Sequence, residues 1–317
     1  MPATRPGAQG AIITGWGMAL PERVVTNHEL AETLDTSDEW IVARTGIHQR
    51  HIGGSTASLS LESAQQALDM AGVSPGDIDA LILSTTTPDR AWGTSAIIQD
   101  KLGLKCGAFD LNAACSGFVY GLVNAHGLVA MGAERVLVVG TDTLSRIVDW
   151  NDRGTAPLFA DGSGAMVLEA VDSGGGQLLG WDLDADGSAS EILWADVGGT
   201  VNMEGKEVFR RAVRIMMDSA EKSMAHAGIT SDDLALIVPH QANIRIIQAA
   251  CERLGVEMDR AAVTIDHTGN TSSASIPMAL CEALEAGRVA PGDHVLLVGF
   301  GGGMTAASAV LKWGGTS

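Results

Sequence analysis

Ala71-Gly72-Val73-Ser74-Pro75-Gly76-Asp77-Ile78-Asp79-Ala80-Leu81-Ile82 is echoed further along the chain by Ala227-Gly228-Ile229-Thr230-Ser231-Asp232-Asp233-Leu234-Ala235-Leu236-Ile237. Each copy reads as the end of a helix, a glycine stop, an acidic turn and the start of an apolar strand. The offset from Ala71 to Ala227 is 156 positions. Val136-Leu137-Val138-Val139-Gly140 recurs as Val295-Leu296-Leu297-Val298-Gly299, offset by 159. A third echo sets Asp110, just before Cys115, against Asp266, just before Asn270. Near-equal offsets in the same order mark an old internal duplication. They predict two similar α/β halves, residues 1–173 and 174–317, built from helix-then-strand units such as Leu59 to Met70 followed by Ala80 to Ser84.

Three short segments carry the chemistry: Ala113-Ala114-Cys115-Ser116-Gly117-Phe118, Val238-Pro239-His240-Gln241-Ala242-Asn243, and Thr268-Gly269-Asn270-Thr271-Ser272. Each follows a run that reads as a buried strand, so strand ends in a parallel sheet could bring Cys115, His240 and Asn270 together. Cys115 opens a predicted helix, where free N–H groups and the positive end of the helix dipole favour thiolate over thiol. Singly, each residue has a plainer reading: a small buried Cys, a satisfied core His, an Asn acting as N-cap. Cys106, Cys251 and Cys281 have no CxxC spacing and read as packing residues, so no disulfide is expected.

Composition excludes several classes. Hydrophobic residues are 46% and charged residues 18%, and 39 glycines imply many tight turns, which fits a compact enzyme. Residues 1–10 lack a secretory pattern and no apolar run is long enough to span a bilayer, so a cytoplasmic protein is expected. A net charge of −18 with no Lys/Arg run argues against nucleic acid. Gly299 to Gly303 is an incomplete dinucleotide fingerprint, since position 304 is Met, and Asp161-Gly162-Ser163-Gly164 lacks the first glycine of a nucleophile elbow. Val208, Ala212, Met216, Ala220 and Met224 recur every four residues, the spacing of a core stripe on one helix.

Over nearly its whole length the chain resembles the thiolase-fold condensing enzymes, specifically the β-ketoacyl-acyl-carrier-protein synthase III family. The matching motifs are Thr36 to Ile47, Ala114-Cys115-Ser116-Gly117-Phe118, Asp152-Arg153-Gly154-Thr155, Pro239 to Arg245 and Gly269-Asn270-Thr271-Ser272. The resemblance implies a layered α-β-α-β-α fold, a homodimer, and decarboxylative condensation of a short acyl-CoA with malonyl-acyl carrier protein, initiating fatty acid synthesis without a metal or redox cofactor. It implies that Cys115 takes the acyl group and that His240 and Asn270 donate hydrogen bonds to the enolate. The amides of Cys115 and Gly303 are implied as an oxyanion hole.

By the same resemblance, Trp40 and Arg153 sandwich the CoA adenine, Thr36 and Arg44 contact the nucleotide, and Gly205, Phe209 and Asn243 follow the pantetheine. Trp92 matches the place where an aromatic enters the acyl pocket from the partner subunit. Arg210, Arg245 and Arg253 are implied as the carrier-protein docking patch. Two departures bear on substrate length: residues 188–204 look short for a covering loop, which argues for a more open pocket, while the indole of Trp92 argues for a short chain. The alternatives are an acyltransferase or condensing enzyme of secondary metabolism and a non-catalytic acyl-CoA-binding protein.

Overall fold

The computed structural model of the chain describes residues 8–172 and 177–314. Nine strands form the two main sheets: β1 (Ala8–Ala19), β2 (Ala80–Ser84), β3 (Gly107–Leu111), β4 (Arg135–Thr143), β5 (Asp161–Asp172), β6 (Gln177–Ala185), β7 (Leu234–Pro239), β8 (His294–Gly301) and β9 (Thr305–Lys312). The first sheet runs β1-β5-β4-β2-β3 and the second β6-β9-β8-β7. β2 lies parallel to β4 as β7 does to β8, and β4 lies antiparallel to β5 as β8 does to β9. The counterpart of β3 is reduced to one parallel bridge, Ile237 to Ala261. The two sheets therefore share one connection pattern, as the sequence echoes predict. The boundary expected at 173/174 lies outside the described residues.

The helices used below are α1 (Asp38–Thr45), α2 (Thr56–Ala71), α3 (Ser95–Leu102), α4 (Gly117–Ala130), α5 (Gly205–Ala227), α6 (Ile244–Leu254) and α7 (Ser275–Glu285). α2 and α5 both end on the alanines of the repeated stretch, and Gly72 (φ 65°) and Gly228 (φ 70°) take the left-handed cap that a β-carbon disfavours. Strand alternation then sorts the layers. On β4, Leu137 and Val139 face α2 and α3, whereas Val136 and Val138 face the middle of the molecule. There α4 (Phe118, Leu122) and α7 (Ile276, Leu280) lie between the sheets, while α5 and α6 cover the far face through Val208, Met216 and Ile246. The layers are α-β-α-β-α. Each fully buried Val, Leu or Phe contributes about 1.5–3 kcal/mol, so Val136 to Val139, apolar on both faces, commit β4 to the interior of the molecule. The third echo is looser: Asp110 sits in β3, whereas Asp266 sits in a helical turn, Ile265–Thr268. What the halves do share there is a 3₁₀ turn before each interior helix, Ala114–Ser116 before α4 and Ser272–Ala274 before α7.

Candidate active site

The two 3₁₀ turns meet at the middle of the molecule, and β8 emerges between them. A β-carbon on Gly301 would stand 2.5 Å from the Cys115 amide nitrogen, so a side chain there would displace the turn. Cys115 follows Ala114, whose φ of +48° is unusual for a residue other than glycine, and Ser272 opposite has φ +54°. The Ser272 hydroxyl donates to Cys115 Sγ at 3.3 Å. Asn270 Oδ1 accepts the Ser272 N–H at 2.9 Å, an orientation assigned by the hydrogen-bond network that turns its Nδ2 donors to the cavity. The Asn270 backbone is pinned from both sides, its N–H to Leu158 O and its carbonyl to Ala160 N–H.

His240 is buried at the end of β7 and edges onto Phe300, ring centroids 5.5 Å apart. Its Nδ1 is 2.6 Å from Ser275 Oγ. That hydroxyl also takes the Gln241 N–H at 3.3 Å; when it donates its own proton to Nδ1, the ring proton is left on Nε2. Burial holds the imidazole down to about 3, hence neutral near pH 7. Gln241 fixes the segment: Nε2 donates to Pro239 O and Ala262 O, and Oε1 accepts from Thr264 and Ile265 N–H.

Cys115 departs from the expectation for a helix N-terminus. Burial pushes its thiol up to about 12, with the Asp142 carboxylate adding to the rise, and the Ser272 hydroxyl opposes this only in part. This direction favours the thiol over the thiolate at rest.

Cys115, His240 and Asn270 line one cavity of about 530 Å³. Arg44, Gly205, Phe209, Asn243 and Arg245 line it too, with Lys206, which sequence reasoning missed. Its wall carries three cations and no carboxylate among the described residues, in a chain of net charge −18. Asn243 reaches the wall with both side-chain ends engaged, Oδ1 capping α6 through Arg245 N–H and Nδ2 on Arg44 O. Thr36, Trp40 and Arg153 are off this wall. Arg153 and Arg44 stack on the Trp40 ring, at 4.3 and 4.7 Å from its centroid, so the slot expected to hold a base is closed by guanidinium.

Cys115 also lines a second cavity of about 960 Å³, with Thr86, Thr87 and Gly303. Gly303 needs its φ of +69° and is absent from the first cavity. Residues 188–204 contribute wall to both cavities. Leu193–Trp194 pairs with Asn202–Met203; Leu193 lines both cavities, Met203 the first and Trp194 the second. Trp92 lines neither cavity of its own subunit. It is 92% exposed on a turn after Ala91, so it is no wall of an acyl pocket within this chain. Arg210 is paired with Glu207 at 2.7 Å and Arg253 with Asp218 at 3.6 Å, whereas Arg245 lies over Phe209 at the cavity.

Models of 3-oxoacyl-[acyl-carrier-protein] synthase III and of its C-terminal part match residues 109–187 and 224–313. The chain is 48% identical over 308 residues to β-ketoacyl-[acyl-carrier-protein] synthase III 1 of Bacillus anthracis, covering 95% of this chain and 98% of that one. Among solved structures it is similar to the 3-oxoacyl-[acyl-carrier-protein] synthase III of Aquifex aeolicus (40% identity, 96% and 100% covered, TM-score 0.93). It is also similar to the synthase III of Thermus thermophilus (46%, 96% and 100%, 0.92). With its thiolase fold and near-complete coverage of these relatives, the chain belongs to the β-ketoacyl-acyl-carrier-protein synthase III family.

Proposed function

We propose that this chain is the acyltransferase that condenses an acyl-CoA starter with malonyl-acyl carrier protein, releasing CO2 and giving the first 3-oxoacyl-acyl carrier protein of fatty acid synthesis. The observation that carries the reading is the shared wall: a thiol, a buried neutral imidazole and an amide line one cavity. In the first half-reaction Cys115 Sγ attacks the thioester carbon. The thiol proton goes to the departing CoA sulfur, so acyl transfer from thiol to thiol is proton-neutral and suits a nucleophile that rests protonated. The amides of Cys115 and Gly303 are proposed to hold the oxyanion.

In the second half-reaction malonyl-carrier protein loses CO2, and His240 Nε2–H and Asn270 Nδ2–H receive the enolate oxygen. The enolate carbon then attacks the Cys115 thioester and the freed thiolate regains a proton from solvent. A base at His240 would be the wrong tool, because the step generates negative charge and needs donors. The proposed chemistry is carried by this chain's side chains and the thioesters themselves.

For substrate binding, Arg44, Lys206 and Arg245 give the cavity a positive wall suited to phosphates of CoA and of a carrier-protein arm. Trp40 and Arg153 are proposed to part around the adenine, with Thr36 beside them, and Gly205, Phe209 and Asn243 to flank the pantetheine. Two copies are proposed to pair, each lending Trp92 to the second cavity of the other, with halves 1–173 and 174–317 meeting at the catalytic residues. Among the described residues no helix is long and apolar enough to cross a membrane. The test is intact-protein mass after exposure to acyl-CoA thioesters. An acyl adduct on the wild type, absent from Cys115→Ser, is expected; an adduct persisting on the variant would refute the assignment.

A further inference from the structure

Beneath the site lies a carboxylate that the proposed chemistry does not use. Asp142, near the end of β4, is fully buried, and its described partners are six N–H and O–H donors. They divide between its two oxygens. Oδ1 accepts from the hydroxyls of Thr85, Thr86 and Thr87 at 3.2, 2.7 and 3.0 Å and from Thr86 N–H at 2.7 Å. Oδ2 accepts from Ser273 N–H at 3.1 Å and Ser273 Oγ at 2.8 Å. Thr86 and Thr87 line the second cavity, whereas Ser273 belongs to the turn that carries Asn270 and Ser272. Gly140, two residues earlier on β4, makes the approach possible, since a β-carbon there would stand 2.5 Å from Ser273 O.

We propose that Asp142 is a positioning residue of the condensation: through Oδ2 it holds the Ser272–Ser273 turn in register with Cys115, and so sets the Asn270 amide. The inference rests on the function proposed above. Ser272 has φ +54°, a conformation that persists only when its surroundings impose it. Ser273 N–H is held by Asp142, Ser272 N–H by Asn270 Oδ1, and Ser272 Oγ reaches Cys115 Sγ. Releasing the first link loosens the Ser272 N–H bond to Asn270 and so the Asn270 amide, while Cys115 keeps the support of its own turn, Ala114–Ser116.

An amide cannot replace the carboxylate. Hydroxyls can turn to accept from an NH2, but Thr86 and Ser273 each present a backbone N–H, one to each oxygen. An asparagine oxygen stays with the Thr85–Thr87 loop, which offers more donors and the shorter backbone contact. Its NH2 is then set against Ser273 N–H. The loop has independent holds, Thr56 Oγ1 on Thr87 O at 2.5 Å and Arg146 on Asp89 at 2.7 Å, so the second cavity survives the change.

The experiment measures the two half-reactions separately in full-length Asp142→Asn: acylation of Cys115 by intact mass, and CO2 release from malonyl-carrier protein with pre-acylated enzyme. Condensation should fall by about 100-fold, the scale of a misplacement near 1 Å at a catalytic group, with acylation within about threefold of wild type. Equal loss in both half-reactions, or loss in neither, overturns the proposal. If Asp142→Asn does not fold, Ser273→Ala decides: about a tenfold loss confined to condensation supports it, and no such split overturns it. Wild type run in parallel separates this idea from the functional reading, because a wild type that releases no CO2 refutes that reading instead.

Discussion

Replacing Asn270 should damage condensation while sparing acylation, and two substitutions separate its two ends. Asn270→Ala removes the Nδ2 donor aimed at the cavity and the Oδ1 acceptor that holds Ser272 N–H at 2.9 Å. Asn270→Asp keeps an acceptor for Ser272 but puts negative charge where the enolate oxygen must sit. Losing one preorganised donor costs about 2.7–4 kcal/mol of barrier, or about 10²–10³ in rate. The lost Ser272 bond costs about 0.5–1.5 kcal/mol of stability, which lowers the melting temperature of the alanine variant alone. Condensation should therefore fall by about 10²–10³ in Asn270→Ala and further in Asn270→Asp, where repulsion adds to the missing donor. Acylation, measured by rapid quench and intact mass, should stay within about threefold in Asn270→Ala, since no enolate forms in that step. Parallel loss of both half-reactions would mean that Asn270 only supports the turn. Near-normal condensation in Asn270→Asp would refute a donor role outright.

Arg245→Glu should raise the KM for malonyl-carrier protein at low salt by more than it raises the KM for acyl-CoA, which Arg44 and Lys206 on the same wall also serve. Arg210→Glu alone should do little, because Glu207 already neutralises that guanidinium; an exposed charge contact is worth about 0.2–1 kcal/mol, so the double reversal gives the clear signal. No change in KM for the double variant would place the docking surface elsewhere. His267 is raised to about 9 by hydrogen bonds to Glu282 and then Asp266, each at 2.9 Å. A raised folded pKa adds stability that is complete below the free value of 6.5 and is lost as pH climbs through 9. The side chain is 41% exposed, so solvent screening reduces the effect to about 1 kcal/mol or less. The melting-temperature gap between wild type and His267→Gln should therefore close between pH 6.5 and 9; a gap that widens with pH would contradict the sign.

Much of the fold was legible because its signals are local. Gly72 and Gly228 stop two helices in the same way, and the alternation of β4 and β8 needs only neighbouring residues. His240 stands directly after β7 and Cys115 shortly after β3, whereas Asn270 follows the helical turn Ile265–Thr268, so only its short motif marks it in the sequence. The supporting residues were not legible. Ser275 meets His240 across 35 positions and Asp142 meets Ser273 across 131, and a serine or an aspartate in isolation carries no mark of such a partner. At Cys115 the helix N-terminus is visible in sequence whereas burial, which acts on the thiol in the opposite direction, is not. Trp92 is placed by resemblance at the acyl pocket of a partner subunit, a position that one chain alone does not test. Its direction depends on the turn that carries it, which leaves the indole in solvent in the isolated subunit.

The central claim is that one thiol carries the starter and that carbon–carbon bond formation is coupled to decarboxylation. The most direct measurement follows isotope-labelled malonyl-carrier protein added to enzyme already acylated on Cys115, recording CO2 and the bound acyl mass together. The account predicts one CO2 released per acyl group lost, with a 3-oxoacyl-carrier protein longer by two carbons as product. Discharge of the acyl group without CO2, or CO2 released while the adduct remains on Cys115, would contradict it.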